Sequence, residues 1–511
     1  MADCVIGIDA GGTMTKAALF DLQGRELACA RRKNVMEFPA PGHTERDPDR
    51  MWQAAAAAIQ EVLEISGTAP GDVVAISCAG YGSGLYLVDA EGAVVRPGIV
   101  STDSRGMGLV TEWYRSGLAH RIEPMIQQRI WPGQSLVLLA WLQREEPQVM
   151  ARADRVLFCK DFLRLRLCGD RSTDPTDGGI AGLIDVTTGQ YSTEALRLAG
   201  LEGWIPKLPR IGPAEEIVGR VTAEAAAQTG LLEGTPVVRG VVDVTAAALA
   251  SGVTEARQMS IVAGTFSINS TLHAEPRLSL APFLQMPFPL GGYLATEGAA
   301  TSASNLEWLV KNILTQGGTP PAGLANDIYE TVNTAVSRRV GHPREALFFP
   351  YLFGGPEGAP AGLLGMTADY DFDDIMLAVF EGIVFAHKVD IDRLLSGNDA
   401  ARPRVIRLAG GAARSEIWSG MFADILGLPV EVPEASELGA LGVAICAARG
   451  IGAYSTLNAA IKAMARVSRR HEVQRARGAP HRAKYDRYLA VSHALAGAWA
   501  APPPGTGGLH A

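Results

Sequence analysis

Asp9 and Asp243 are the two carboxylates whose neighbours most suggest chemistry. Asp9 ends an apolar run from Val5 to Ile8. Ala10-Gly11-Gly12-Thr13 follows it, and a second apolar run spans 16–20. Strand, Asp, Gly-Gly-Thr, strand is a pattern that lets backbone approach a nucleotide phosphate. The glycines remove side-chain bulk and tolerate unusual φ/ψ. Amides and hydroxyls such as that of Thr13 donate hydrogen bonds, and a lone carboxylate organises Mg²⁺ and its waters. The same residues also suit a plain tight hairpin with an Asp at its mouth. Asp243 ends a second apolar run, 237–242, and a small-residue helix is predicted over 245–250. A carboxylate at the C-terminal end of a strand sits at the edge of a cleft. There it can accept the proton of a hydroxyl during phosphoryl transfer, a reaction in which positioning and charge stabilisation do most of the work. An N-cap Asp for the following helix is the alternative.

Two further glycine turns follow apolar strands. Residues 259–263 lead into Gly264-Thr265, after which 266–272 leaves as a strand, repeating the layout of the N-terminus. Residues 404–408 lead through Gly410-Gly411 to Ser415 and a helix predicted over 416–426. Strand, Gly-Gly, helix N-terminus offers close backbone approach and a favourable dipole for negative charge. Each turn also reads as an ordinary connection. Glu437 to Gly442 opens a helix whose small residues suit close packing. Gly80-Tyr81-Gly82-Ser83-Gly84 lacks the G-x-G-x-x-G spacing of dinucleotide sites and reads as a flexible loop lining a site. No G-x-x-x-x-G-K-[ST] is present, so a P-loop is unsupported.

The elements that carry these turns read as α/β. Strands over 5–8, 16–20 and 25–31 form an antiparallel meander. A helix over 51–65 follows, with Asp47 as N-cap and Pro48 in the first position. Residues 73–77 read as a buried parallel strand, and 136–142 and 162–167 as helical. The duplicated layout predicts two α/β domains facing a nucleotide, over 1–250 and 251–500, and a disordered tail over 501–511. The uncharged window 278–296 contains Pro282, Pro287 and Pro289, so it reads as strand and loop rather than a membrane span.

Composition narrows the class. The 511 residues carry a net charge of −8, with 47% apolar and 20% charged residues. No long basic run exists, so nucleic acid is not an expected partner. Six scattered cysteines form no C-x-x-C pair and read as free thiols. The N-terminus carries no Lys or Arg ahead of its apolar stretch, so neither a leader nor membrane attachment is expected, and the chain reads as cytoplasmic. His387, on an apolar helix, reads as a packing histidine.

Taken in order, Asp9-Ala10-Gly11-Gly12-Thr13, Gly240-Val241-Val242-Asp243, Gly264-Thr265 and Gly410-Gly411 resemble the FGGY family of carbohydrate kinases, within the sugar kinase/actin/Hsp70 superfamily. Supporting stretches include Thr44-Glu45-Arg46-Asp47-Pro48, Lys160-Asp161-Phe162-Leu163 and Phe348-Phe349-Pro350-Tyr351-Leu352. The resemblance implies two ribonuclease-H-like domains in a duplicated actin-like fold, closing on ATP, Mg²⁺ and a small sugar or polyol. It implies Asp243 as general base and Asp9 as the metal residue. Gly12, Thr13, Gly264 and Thr265 would serve the phosphates, and Gly410, Gly411 and Ser415 the rest of the nucleotide. Relatives are often dimers, which makes a homodimer the expectation.

Glycerol kinases carry Arg-Glu, and typical D-xylulose kinases Met-His, in the loop after the strand at 73–77; this chain has neither. Its residues 80–89 look more like the L-xylulose and erythritol kinases, and Ser101-Thr102-Asp103-Ser104-Arg105 favours the L-xylulose branch. Tyr81, Gly82 and Asp103 are therefore the expected substrate residues. Tyr81 stands where that branch usually has Gln, and a packing aromatic is its alternative reading; for Asp103 the alternative is a cap for the helix that follows. The expectation is phosphorylation of a xylulose-type ketopentose, with a short polyol such as erythritol as the alternative. A regulatory ATP-binding protein of the same fold is the alternative of another class.

Overall fold

The computed structural model describes residues 3–277, 282–315, 327–342, 344–397 and 401–500. The tail expected to be disordered, 501–511, and residues 278–281 of the uncharged window lie outside them. The chain divides into two compact units. The first contains Met1–Ala256, Leu272–Thr296 and Glu434–Arg466; the second contains Arg257–Thr271, Glu297–Pro433 and Val467–Ala511.

In the first unit, Cys4–Ala10, Met14–Asp21 and Glu26–Lys33 form the expected antiparallel meander, with Asp9 opposite Lys16. Val73–Gly80 pairs parallel to the first of these strands, and Pro236–Val238 pairs parallel to Val73–Gly80. Counted by order of appearance, these five strands lie 3-2-1-4-5 across the sheet. The central strand is apolar on both faces because helices cover both. On one side lies Pro48–Ser66, whose N-cap Asp47 accepts from the amides of Asp49 and Arg50. On the other lies Leu438–Gly450, which touches the strand through glycine. A methyl group at Gly7 would sit 1.9 Å from the Ala440 carbonyl oxygen, and one at Gly442 would sit 2.1 Å from that of Ala246. The small residues at 437–442 are thus a packing surface.

A second sheet repeats the order. Gln258–Ala263 pairs antiparallel with Ser267–His273 and parallel with Val405–Gly410, which pairs parallel with Val430–Pro433. Tyr293–Ala299 lies outside Ser267–His273, so the order is again 3-2-1-4-5. The buried helix Phe372–Leu394 forms much of the second unit's core, with Phe380 stacked on Trp418 at 4.3 Å.

Three local readings differ from the structure. The strand before Asp243 stops at Val238, and Asp243 is the first residue of the helix Asp243–Ala250, not its cap. Gly240 is the cause. At φ +80° it turns the chain against the Cys78 carbonyl, which a Cβ would approach to 2.2 Å. A 3₁₀ turn, Ala412–Arg414, separates Gly410-Gly411 from the helix Glu416–Leu426, so Ser415 rather than a glycine caps that helix. The loop 81–84 is buried and tied down: Ser83 Oγ donates to the Ile180 carbonyl and the Gly84 amide to that of Gly133.

Candidate active site

In the first unit the Gly11-Gly12-Thr13 turn projects from the sheet edge with its glycines half-buried and Thr13 exposed. Asn34, the residue after the third strand, holds the turn. Its amide accepts from Thr15 Oγ1 at 2.8 Å and donates to the Gly11 carbonyl at 2.8 Å and the Gly12 carbonyl at 3.3 Å. Its own backbone amide donates to the Thr13 carbonyl. Buried Arg46 adds a bond from Nη2 to the Gly11 carbonyl at 3.4 Å. With the carbonyls bound from behind, the turn is held in one shape. A methyl group at Gly12 would meet nothing within 4 Å. Sequence reasoning missed Asn34, although the meander register, with Met14 opposite Lys33, puts it beside Thr13.

Asp9 sits at the base of this turn. Its Oδ1 is buried and without a hydrogen-bond partner. A methyl group at Gly439 would lie 2.5 Å from its carboxyl group, so the helix above it closes tightly. Burial pushes Asp9 up to about 6; Lys16 pulls down and Glu437 pushes up. Glu437 is itself paired, 2.8 Å from Lys16 Nζ and bonded to Arg31. An unpaired carboxylate oxygen suits a hard divalent cation that keeps most of its ligands as water and phosphate. Among the described residues no cluster of three or more His, Cys, Asp or Glu exists that would cage a metal by itself.

Asp243 accepts one bond, from the Val244 amide at 2.7 Å. The residue keeps a partly open edge while protein atoms enclose its carboxyl. That enclosure, with the Asp9 charge added, raises it to about 7. A carboxylate poised near neutral pH and free of any cation is suited to accepting a proton.

The expected substrate residues stand differently. Tyr81 is 6% exposed, its hydroxyl 2.7 Å from that of Tyr86 and its ring under Arg46; it packs. Gly82 is pressed between Ile180 and Val242, which a methyl group would approach to 2.6 and 2.8 Å. This puts it beside the residue preceding Asp243. Asp103 is 2% exposed and accepts four bonds: from the Thr44 amide, the Arg105 amide, Arg105 Nε and Arg105 Nη2. A carboxylate has about four acceptor sites, so Asp103 has none left for a sugar hydroxyl, nor does it cap a helix.

In the second unit Gly264 and Thr265 form a second open turn, half-buried and exposed respectively. Ser304 Oγ braces it by donating to the Thr265 carbonyl at 2.7 Å. Gly410, at φ +86°, lies against the Ala263 carbonyl, bringing both glycine turns of this unit together. Gly411 and Ser415 line a cavity of about 850 Å³ whose wall includes Trp418 and Phe380 and whose rim carries Glu307 and Glu330. Ser415 Oγ donates to Asn333 Oδ1 at 2.6 Å, a partner that sequence reasoning did not find because it comes from a distant helix. His387 packs as expected. It lies between Ser302 Oγ and Asn269 Oδ1, at 2.9 and 2.8 Å, and burial pushes it down to about 3, so it stays neutral.

Each unit therefore carries an open glycine turn after its first strand. The first adds two unneutralised carboxyls, and the second a cavity of nucleoside size. Residues 4–250 match the N-terminal domain, and residues 259–451 the C-terminal domain, of the FGGY family of carbohydrate kinases. The chain is 33% identical to a probable L-xylulose kinase of Pasteurella multocida Pm70, over 96% of its own length and 98% of that protein's. It is 31% identical to an L-xylulose/3-keto-L-gulonate kinase of Escherichia coli K12, over 96% and 97%. Among solved structures, a ligand-bound xylulose kinase from Lactobacillus acidophilus shares the fold, with a TM-score of 0.86 over 97% of this chain and 99% of that one at 20% identity. The chain belongs to the FGGY family of carbohydrate kinases and is an ATP-dependent sugar kinase.

Proposed function

We propose that this kinase phosphorylates a hydroxyl of a xylulose-type ketopentose, with Asp243 as the general base. The observation that carries the reading is Asp243 itself: an enclosed carboxyl with one amide partner and no paired cation among the described residues, raised to about 7 by that enclosure and by the Asp9 charge. As the acceptor hydroxyl attacks the γ-phosphorus, its proton passes to a carboxylate oxygen of Asp243. Little else is asked of the base, because the transfer depends mainly on alignment and on charge stabilisation at the phosphoryl oxygens. The amides of Gly12 and Thr13, with the Thr13 hydroxyl, donate to phosphate oxygens, as do those of Gly264 and Thr265. Gly411 and Ser415 accommodate the nucleoside end in the cavity they line, and Gly410, the neighbour of Gly411, turns the chain at φ +86°.

Asp9, whose Oδ1 is unpartnered, would hold Mg²⁺. When bound, the ion neutralises charge on the β- and γ-phosphates. The two L-xylulose kinase relatives support a ketopentose as substrate. Asp103, with its acceptor sites filled, shapes the substrate loop through Arg105 rather than binding sugar. A homodimer in the cytoplasm completes the reading, checked by light scattering and cell fractionation.

The test is ADP release with ATP and Mg²⁺ against L-xylulose, D-xylulose, L- and D-ribulose, 3-keto-L-gulonate, erythritol, glycerol and a blank, with Asp243→Asn alongside. Release with one ketopentose, reduced 10²- to 10⁴-fold in the variant, is expected. Release with erythritol alone moves the substrate to short polyols. Near-normal turnover by the variant removes Asp243 from the base role.

A further inference from the structure

The four residues leading to Asp243 belong to no long ladder, yet every one of them is buried. Several of their backbone groups are satisfied from elsewhere in the first unit. The Arg239 amide donates to the Glu216 carbonyl and the Gly240 amide to that of Ala214. Arg164 Nη1 donates to the Arg239 carbonyl at 2.8 Å. The Val242 amide, one peptide before Asp243, donates to a side chain: Thr176 Oγ1, at 3.1 Å.

That hydroxyl is oriented. It donates to Asp174 Oδ2 at 2.5 Å, so a lone pair is left facing Val242. Asp174 in turn is fixed by the Thr176 amide and by Lys160, whose Nζ lies 2.9 Å from Oδ1. Lys160 also lies 2.7 Å from Asp161 and 3.2 Å from Asp177, and all four side chains are fully buried. A buried ion cluster of this kind contributes little net stability, because desolvation offsets attraction. It does fix geometry. Val242 occupies the cap position of the catalytic helix and has no side-chain acceptor of its own. Among the described residues, the side-chain bond on the peptide that aims Asp243 comes from Thr176.

We propose that Thr176, oriented by Asp174 and Lys160, is a positioning residue for Asp243, fixing the peptide that sets the direction of its carboxylate. The inference rests on Asp243 being the base. Without the hydroxyl the Val242 amide is buried unpaired, and the helix start can shift to find a partner. A displacement of about 1 Å at the reacting group lowers turnover on the order of 10²-fold.

The test compares kcat and KM for ATP in Thr176→Val, Thr176→Ser, Asp243→Asn and the Thr176→Val/Asp243→Asn pair, using the sugar that gives highest turnover. The expected result is kcat lowered about 30-fold by Thr176→Val with KM for ATP changed less than about 2-fold. Serine should restore kcat to within about 3-fold, and the double variant should be no slower than Asp243→Asn alone. An inactive Asp243→Asn protein beside a Thr176→Val protein of normal kcat overturns the positioning role and leaves the base standing. So does a double variant slower than Asp243→Asn by the full Thr176→Val factor. Normal turnover by Asp243→Asn overturns both. Should Thr176→Val fail to fold, Asp174→Asn replaces it: the amide keeps the volume but weakens the hold on the hydroxyl, and kcat should fall several-fold. Unchanged kcat there overturns the proposal.

Discussion

Replacing Asp243 by Asn should make the apoprotein more stable above about pH 4, with the full gain reached near pH 7. Enclosure and the Asp9 charge raise Asp243 from 3.8 to about 7 in the folded chain. A carboxyl raised on folding favours the protonated native state. That contribution is fully present below the unfolded value, near 4, and is lost as pH rises through about 7. Above pH 7 the wild-type protein holds an ionised carboxylate against its surroundings. Three pKa units correspond to roughly 4 kcal/mol. Water at the partly open edge screens the charge, and Asn leaves one N–H donor to satisfy, so about 2 kcal/mol is the working figure. For a unit of this size that is on the order of 5 °C in Tm. Scanning calorimetry of both proteins, without nucleotide and with chelator, from pH 4.5 to pH 8.5 reads the effect. The curves should lie closest near pH 4.5, separate as pH rises to about 7 and run parallel above it, with the variant higher and its turnover lost. A difference independent of pH, or a variant less stable at pH 8, refutes the claim that Asp243 is held against its ionisation.

Three other substitutions follow from the same geometry. Asn34→Ala removes both bonds that hold the Gly11 and Gly12 carbonyls and the acceptor of Thr15; KM for ATP should rise about 10-fold, more than kcat falls, in steady-state assays. Gly439→Ala puts a methyl group 2.5 Å from the Asp9 carboxyl; calorimetry should show a loss of about 1–3 kcal/mol, with a raised Mg²⁺ requirement in the kinase assay. Asp103→Asn breaks the buried pair with Arg105; it should destabilise by about 3 kcal/mol while KM for sugar in the folded protein stays within about 3-fold. A large change in KM without loss of stability would restore Asp103 as a substrate ligand.

Local patterns carried far in this chain. Asp47-Pro48 before an Ala-rich helix fixes that helix start through the cap bond alone. The alternation in 4–33 defines the meander and its register, and with them the open Gly-Gly-Thr turn. The repeated strand, Gly-Thr, strand at 258–273 reveals the second sheet, because a turn that leaves phosphate-sized room needs the same residue types each time. The end of the strand before Asp243 was not legible. Residues 237–242 are continuously apolar apart from Arg239 and Gly240. The break depends on Gly240 meeting the Cys78 carbonyl, a contact between residues 162 positions apart in sequence.

Asp103 shows the limit most clearly. A carboxylate in a loop reads as a free ligand until its donors are counted, and three of the four groups that fill it belong to Arg105, two residues on. The spacing Asp-x-Arg was visible; that both side chains are buried and face one another was not. Thr176 presents the inverse. Nothing in Thr173-Asp174-Pro175-Thr176-Asp177 separates a helix-starting turn from a support for the peptide before Asp243, since the Asp174 cap bond to the Thr176 amide satisfies the local pattern completely. The hydroxyl's second bond, to Val242, exists only because the fold brings residue 176 under residue 242. Residues that touch substrate must be polar and open, so composition and turn type reveal them. Residues that aim them are buried, and a buried polar group is explained only by its partner. The support of a site is therefore legible only once the sheet order is known.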